Sequence, residues 1–296
     1  MMIFFLFLAG AAVGSFLNVI IDRPPRGQTV VRGRSGCDFC HTPLLWWELV
    51  PVLGFFLVGG RCRTCHQKLS LQYPLVESIT GLVFILIFLY LSSGHPLETS
   101  LLAPSFWATY LYWATITSGL LALVTTDLKY GLLPDAVLKP LLFFVLLGGL
   151  GRLGWRTAKF FWFLWTEPSG FGRQLSTSHF FWSRVWQLAQ PLSISLLIGL
   201  AIAGFFAFLI WLTHGRGMGW GDVKLGFLLG LIGGWPIAVV GLFISFLTGA
   251  IVGFMLILAG KKSLKETLPF GPFLIFGSVV GLVFGQRIFD WYWQML

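Results

Sequence analysis

The chain has 296 residues, of which 56% are hydrophobic and 10% charged, and its mean hydropathy is +0.84. That balance excludes an ordinary soluble enzyme, which needs far more polar surface, and places the chain among polytopic membrane proteins. The net charge of +9 does not point to nucleic acid, because the basic residues are spread over short loops between apolar runs, where they suit orientation in a bilayer and contact with anionic lipid headgroups.

A membrane-crossing helix needs about 20 mostly apolar residues, and the sequence predicts eight, near 2–21, 75–92, 104–126, 133–150, 191–212, 223–235, 237–259 and 271–293. The first lacks a basic amino-terminal flank and reads as a retained span rather than a signal peptide. The sixth is short and glycine-rich, so it is expected to tilt, kink or begin deeper in the membrane. The turn Gly233-Gly234-Trp235-Pro236 ends it. The predicted fold class is an all-α polytopic membrane protein with a cytoplasmic four-cysteine loop after the first helix. No internal repeat and no low-complexity tract is read.

Three regions follow: a first helix at 1–21, a polar loop at 22–74, and a seven-helix membrane domain at 75–296 that carries an insertion at 151–190. The loop holds seven basic residues, Arg23, Arg26, Arg32, Arg34, Arg61, Arg63 and Lys68, and Lys129, Arg216, Lys261, Lys262 and Lys265 fall on its side. The positive-inside rule makes that side cytoplasmic and turns both chain ends outward. The insertion disagrees in part, with Arg152, Arg156, Lys159, Arg173 and Arg184, while its aromatic runs at 160–165 and 180–186 are expected to lie in the interface plane on the outer side.

All four cysteines fall in the loop, as Cys37-x-x-Cys40 and Cys62-x-x-Cys65 with 21 residues between the pairs. That is one more than the usual four-cysteine zinc spacing. A reducing cytoplasm disfavours disulfides, and four thiolates would close the coordination sphere of a structural Zn2+. His41 and His66 each follow a cysteine, where knuckle geometry usually turns a side chain away. A polar loop of this length has little core and needs such a staple.

Asp127 and Asp222 sit beside long apolar runs in a chain poor in carboxylates. A carboxylate at the bilayer centre costs about 2.5–3.5 kcal/mol on insertion scales, so an intramembrane pair calls for a use. The predicted topology puts both at the cytoplasmic face. As neighbours they would share a proton, one activating water and the other polarising a peptide carbonyl, the chemistry of an aspartic protease. Gly219 and Gly221 would let a substrate backbone approach Asp222. Helix capping is the plainer reading of Asp222, and of Asp135 after Pro134, each taken alone.

Gly14-Ser15-Phe16-Leu17-Asn18-Val19-Ile20-Ile21 with Arg23-Pro24, the two cysteine pairs with Pro51-Val52-Leu53 and Gly60-Arg61-Cys62-Arg63, and Tyr73-Pro74-Leu75-Val76-Glu77 occur in that order. They are followed by the Asp127 segment to Pro134-Asp135, then Gly217-Met218-Gly219-Trp220-Gly221-Asp222-Val223-Lys224 and Pro269-Phe270-Gly271-Pro272-Phe273. The ordered set resembles the type IV prepilin peptidases. The resemblance implies an eight-span bacterial inner-membrane aspartic protease with catalytic Asp127 and Asp222, acting on prepilins or pseudopilins at the cytoplasmic face. It also implies contact with pilus or type II secretion machinery and N-methylation of the new amino terminus with S-adenosyl-L-methionine. Glu48 and Glu77 are candidates to hold an amine, though capping or pairing with Arg61 or Arg63 explains them equally. Trp220 and the 151–190 insertion depart from the family pattern. Two other readings stay open, a proton-coupled transporter using the Asp pair as a relay and a non-enzymatic docking scaffold.

Overall fold

The computed structural model describes residues 1–30, 33, 35–93, 103–166, 179–215, 218–260 and 268–295. Without water to bond the backbone, an apolar run in a bilayer must satisfy its own N–H and C=O groups, which a helix does within one segment. The helices are α1 (Met2–Asp22), α2 (Leu53–Leu57), α3 (Gln72–Ser92), α4 (Pro104–Tyr130), α5 (Asp135–Thr166), α6 (His179–Leu212), α7 (Trp220–Gly233), α8 (Ile237–Leu258) and α9 (Gly271–Met295). Among the described residues no strand forms, and only two isolated bridges occur. Arg32, Arg34, Arg173, Arg216, Lys261, Lys262 and Lys265, which enter the orienting charge pattern, lie outside the described residues, as does Gly217.

Seven of these helices are long and apolar enough to cross a membrane. The eighth expected span is α7, whose 14 residues give about 21 Å at 1.5 Å per residue, short of the ~30 Å hydrocarbon layer. It ends at Gly234, where φ of 60° suits a residue without a side chain.

The insertion differs from expectation. Residues 151–166 continue α5 and residues 179–190 open α6, so these helices reach 32 and 34 residues. Pro191, expected at the start of a span, lies inside α6. Basic and aromatic content marked these stretches as interfacial, but the helical register continues through them, and aromatic packing joins the two ends. Phe160 stacks on Phe181 at 6.0 Å between centroids, and Phe161 meets the edge of Phe181 at 6.1 Å.

The chain divides into two units, Met1–Val137 and Leu138–Leu296. In the first, α1, α3 and α4 pack together. Leu6, Phe84, Phe88, Tyr110 and Ala114 fill one end, and Leu17, Ile21, Val76 and Ala122 fill the other. In the second, α6 packs on α7 and α8 on α9.

Close backbone approach recurs in these pairs, as expected where lipid offers helices no hydrophobic drive and small residues let dispersion act. In the first unit, a methyl group on Gly14 would come within 2.7 Å of the Glu77 Cα. In the second, one on Gly281 would meet the Ile237 carbonyl at 2.8 Å and the Gly241 Cα at 3.0 Å, whereas Gly204 has open space around it. Gly281→Leu is therefore expected to part α8 from α9 and cost about 1–3 kcal/mol, lowering the thermal unfolding midpoint of the purified protein. Gly204→Leu should leave that midpoint nearly unchanged, and equal effects from the two would contradict the packing.

Candidate functional site

The two cysteine pairs fold into the same turn. In each, the residue after the second cysteine donates its N–H to the carbonyl of the first, His41 to Cys37 and His66 to Cys62, both at 3.0 Å. The first cysteine then takes a return bond, from Cys37 N–H to Thr42 and from Cys62 N–H to Gln67. Both histidines adopt positive φ, 55° and 56°, and are exposed. The isolated bridges Gly36 to Pro43 and Arg61 to Lys68 close the two turns. This corrects the reading that no repeat is present: Cys-x-x-Cys-His-x-x-Leu occurs at 37–44 and again at 62–69.

The two turns face each other. The four Sγ atoms lie within 4.8 Å of one another, with Cys37 to Cys65 at 3.7 Å and Cys40 to Cys62 at 3.8 Å. Four thiols at this separation suit a metal ion. The Thr42 hydroxyl, 3.2 Å from Cys40 Sγ, and the Thr42 backbone hold the Cys40 thiol down to about 6. Backbone N–H groups of Cys65 and Thr64 lower Cys62. At Cys65 the Gln67 N–H also lowers, but burial and the three neighbouring sulfurs outweigh it and push the thiol up to about 12. Successive thiolates repel, and a cation among them removes that penalty.

A part-buried polar network joins the loop to the helices. Asp22, the last residue of α1, accepts a hydrogen bond from Lys129 Nζ at 2.5 Å and one from the Tyr130 hydroxyl at 2.9 Å, both from the end of α4. The Tyr73 hydroxyl of α3 is shared between Asp22 at 3.3 Å and Asp38 of the first cysteine turn at 2.9 Å. Asn18 donates to the Tyr73 carbonyl and accepts from the Gln72 amide. Asp22 does not stand out in the sequence, and Tyr73 does so only as the first residue of Tyr73-Pro74-Leu75-Val76-Glu77. The one available signal was an aspartate at the end of an apolar run with no glycine or serine to cap.

Asp127 is buried in the first unit, one turn before α4 ends, and its carbonyl accepts the N–H of the αL cap Gly131 at 2.8 Å. A carboxylate in a last helical turn opposes the macrodipole. Asp222 belongs to the second unit. The capping reading holds in modified form: the N-cap of α7 is Gly219, and Asp222 at the third helical position accepts the Gly219 N–H at 3.3 Å. Gly219 is exposed, in extended backbone, with room for a side chain. Asp135 opens α5.

Fold and site thus define a multi-pass, all-helical membrane protein with a four-cysteine metal-type cluster between its first two spans and acidic groups in helix-end turns. The chain belongs to the type IV leader peptidase family. Residues 8–91 match the bacterial peptidase A24 N-terminal domain and residues 174–254 match the type IV leader peptidase family model. The second range includes Asp222, and Asp127 falls between the two. The chain is 30% identical to the prepilin leader peptidase/N-methyltransferase of Aeromonas hydrophila, over 97% of this chain and 92% of that one. It is 28% identical to the protein of the same description in Bacillus subtilis, over 99% of both. The same description applies to a Pseudomonas aeruginosa relative, 28% identical over 97% and 92%. No solved structure matches the chain. The transporter reading finds no support in these relatives.

Removing one partner of the Asp22 pair leaves the other charge in a part-buried site. With Lys129 about one-third exposed, solvent softens the 3–5 kcal/mol typical of a fully buried pair. Lys129→Met is expected to cost about 2–3 kcal/mol, and Asp22→Asn in that background should cost much less than it does alone. Thermal unfolding across the double-mutant cycle measures the coupling, and simple additivity would show that the pair is not coupled.

Proposed function

We propose that this chain is a membrane aspartic endopeptidase that removes the short basic leader from type IV prepilins or pseudopilins and then N-methylates the new amino terminus. What carries the reading is similarity along nearly the whole chain, embracing both the cysteine loop and the Asp222 helix.

Asp127 and Asp222 are the catalytic pair in this proposal. Helix position divides their roles. The first turn of α7 favours negative charge at Asp222, and the Gly219 N–H holds that carboxylate. The last turn of α4 opposes negative charge at Asp127. Asp222 therefore takes the proton of the attacking water while Asp127 donates a hydrogen bond to the scissile carbonyl. As the tetrahedral intermediate collapses, the proton held by Asp222 passes to the leaving amine. Gly219 and Gly221 leave the approach to Asp222 free of side chains for an extended substrate backbone. The enzyme is assigned to the bacterial inner membrane with its cysteine loop in the cytoplasm, where basic leaders emerge and where pilus or type II secretion machinery takes up the product. Both Asp127→Asn and Asp222→Asn should lower leader cleavage at least 1,000-fold, as the loss of an essential acid or base does. Mass spectrometry of a prepilin incubated with S-adenosyl-L-methionine follows cleavage and methylation together. Cleavage persisting in either variant would remove that residue from the mechanism.

Zn2+ is the metal proposed for the cysteines. Tetrahedral zinc with bonds of about 2.3 Å places thiolate sulfurs about 3.8 Å apart, and two of the cross-turn separations are 3.7 and 3.8 Å. With four protein ligands the ion is structural and leaves no place for a reactive water. The Cys40 thiol, held at about 6, is largely thiolate at neutral pH, and acid restores its proton. Zinc near one equivalent per chain is expected at pH 7.5, falling as the pH drops through 6 to 5, with Cys40→Ser losing it at higher pH. Metal analysis after dialysis at each pH checks this, and metal content indifferent to both pH and Cys40 would refute the assignment.

A further inference from the structure

Residues 44–60, between the two cysteine turns, form a strongly apolar stretch. Twelve of these 17 residues are Leu, Val, Phe or Trp, and Glu48 is the one charged residue. The stretch cannot cross a bilayer, because the turns at its two ends meet, with the Cys40 and Cys62 Sγ atoms 3.8 Å apart. It leaves and returns on one side as an apolar lobe, and exposed apolar surface of this kind marks an interaction site.

The lobe is covered from within. It borders a cavity of about 610 Å3 that the ends of α1 and α3 also line. Gly54 and Phe55 of α2 and its cap Val58 belong to that lining. So does Glu48, whose side chain is only 6% exposed, accepts the Leu45 N–H at 2.7 Å and stands 3.8 Å from Arg63. Leu53, Phe56 and Leu57 stand at i, i+3 and i+4, which places them on the other face of α2. They lie outside the lining and are 59%, 67% and 67% exposed, and Trp46 is 79% exposed. The single acid is thus withdrawn while the largest apolar side chains point outward.

The level of this outward face is fixed by α3. Its 21 residues give about 31 Å at 1.5 Å per residue, which matches a hydrocarbon layer of ~30 Å. Glu77, 8% exposed, lies five residues after Gln72, about 7.5 Å along that helix. Its Oε2 accepts the Val52 N–H at 2.6 Å. Val52, with φ of 64° and ψ of −54°, centres a γ-turn that the Leu53 N–H closes on the Pro51 carbonyl at 2.7 Å, a rare and strained kind. The next residue opens α2. The outward face of α2 therefore starts within the first two turns of a membrane span, level with the exposed Leu75 of α3, where headgroups and the first acyl carbons surround a protein.

We infer that α2 and Trp46 form a lipid-embedded foot, in which Leu53, Phe56 and Leu57 dip into the boundary between headgroups and acyl chains and hold the cysteine turns against the bilayer. Interfacial helices bury their apolar face about 5–10 Å into that boundary, in keeping with the level of Glu77. Tryptophan favours this zone. Of the four charged residues in 44–69, three are basic, Arg61, Arg63 and Lys68, and all three are exposed, which suits anionic headgroups. A prepilin helix or a second copy of this chain could cover an apolar face too, but neither accounts for the level at which the face is held. The inference rests on the membrane-spanning fold and is independent of the chemistry proposed above.

The test places the full-length protein in vesicles of phosphatidylcholine and phosphatidylglycerol carrying a trace of diazirine lipid, with the diazirine either near the glycerol or at the acyl-chain end. Peptide mass spectrometry is expected to find residues 53–57 labelled from the glycerol-proximal position, and Leu82 and Leu86, exposed at the middle of α3, labelled from the chain end. Label on α3 with none on residues 53–57 would overturn the foot. Phe56→Glu with Leu57→Glu should cut lipid label on Trp46 and Leu53 by about tenfold, since a charged face does not enter the boundary, and leave Leu82 labelled as before; undiminished label would count against it. Benzoylphenylalanine in place of Phe56 separates the occupants. Lipid adducts support the foot, whereas adducts to a second copy or to added prepilin in their place overturn it.

Discussion

The Asp22 carboxylate is the contact on which the first unit depends. It closes α1, and it receives Lys129 and Tyr130 from α4 and Tyr73 from α3. Three spans are thereby tied by one polar node at their ends, where apolar packing alone specifies depth and rotation poorly. The node also reaches outward, because the Tyr73 hydroxyl touches Asp38 in the first cysteine turn. A loop with almost no core of its own is thus referenced to the membrane helices by a hydrogen bond as well as by the chain. Lys129 lies two residues beyond Asp127 on the same helix, so the grip on Asp22 also fixes the turn that carries the proposed catalytic acid.

Glycine does for the apolar contacts what Asp22 does for the polar ones. The approach of Gly14 to the Glu77 backbone brings α1 and α3 together just where Ser15 and Asn18 meet Glu77 and Tyr73. A larger residue at 14 would part the helices and open the cavity wall. Packing in the lipid layer and construction of a polar chamber at its edge are therefore one structural problem, solved by one small residue.

Much of this was legible in the sequence. Apolar length located every long helix, with ends displaced by only a few residues at α1, α3, α4, α8 and α9, because the bilayer rule depends on composition rather than on partners. The metal-type cluster was legible from spacing, since two Cys-x-x-Cys turns leave little freedom in where the thiols go. The extension of α5 to Thr166 and the early start of α6 at His179 were not. Tryptophan and arginine at a membrane edge suit an in-plane helix and a continuing one alike, and only the pairing of Phe160 and Phe161 with Phe181 decides between them. The Asp22 node was hidden for another reason. Its partners stand 51 to 108 residues away, and Lys129 read as a topological charge before it could be read as a ligand of Asp22.

The carboxylates of this chain separate by what holds them. Asp22 is neutralised by a lysine and two phenols, and its work is architectural. Asp222 accepts a backbone N–H at a helix start, a setting that favours an anion. Asp127 lies in a last helical turn, where the macrodipole opposes an anion. Glu77 is held by a strained turn, buried, and without a cation among the described residues. A membrane protein that spends a carboxylate on architecture pairs it, as at Asp22.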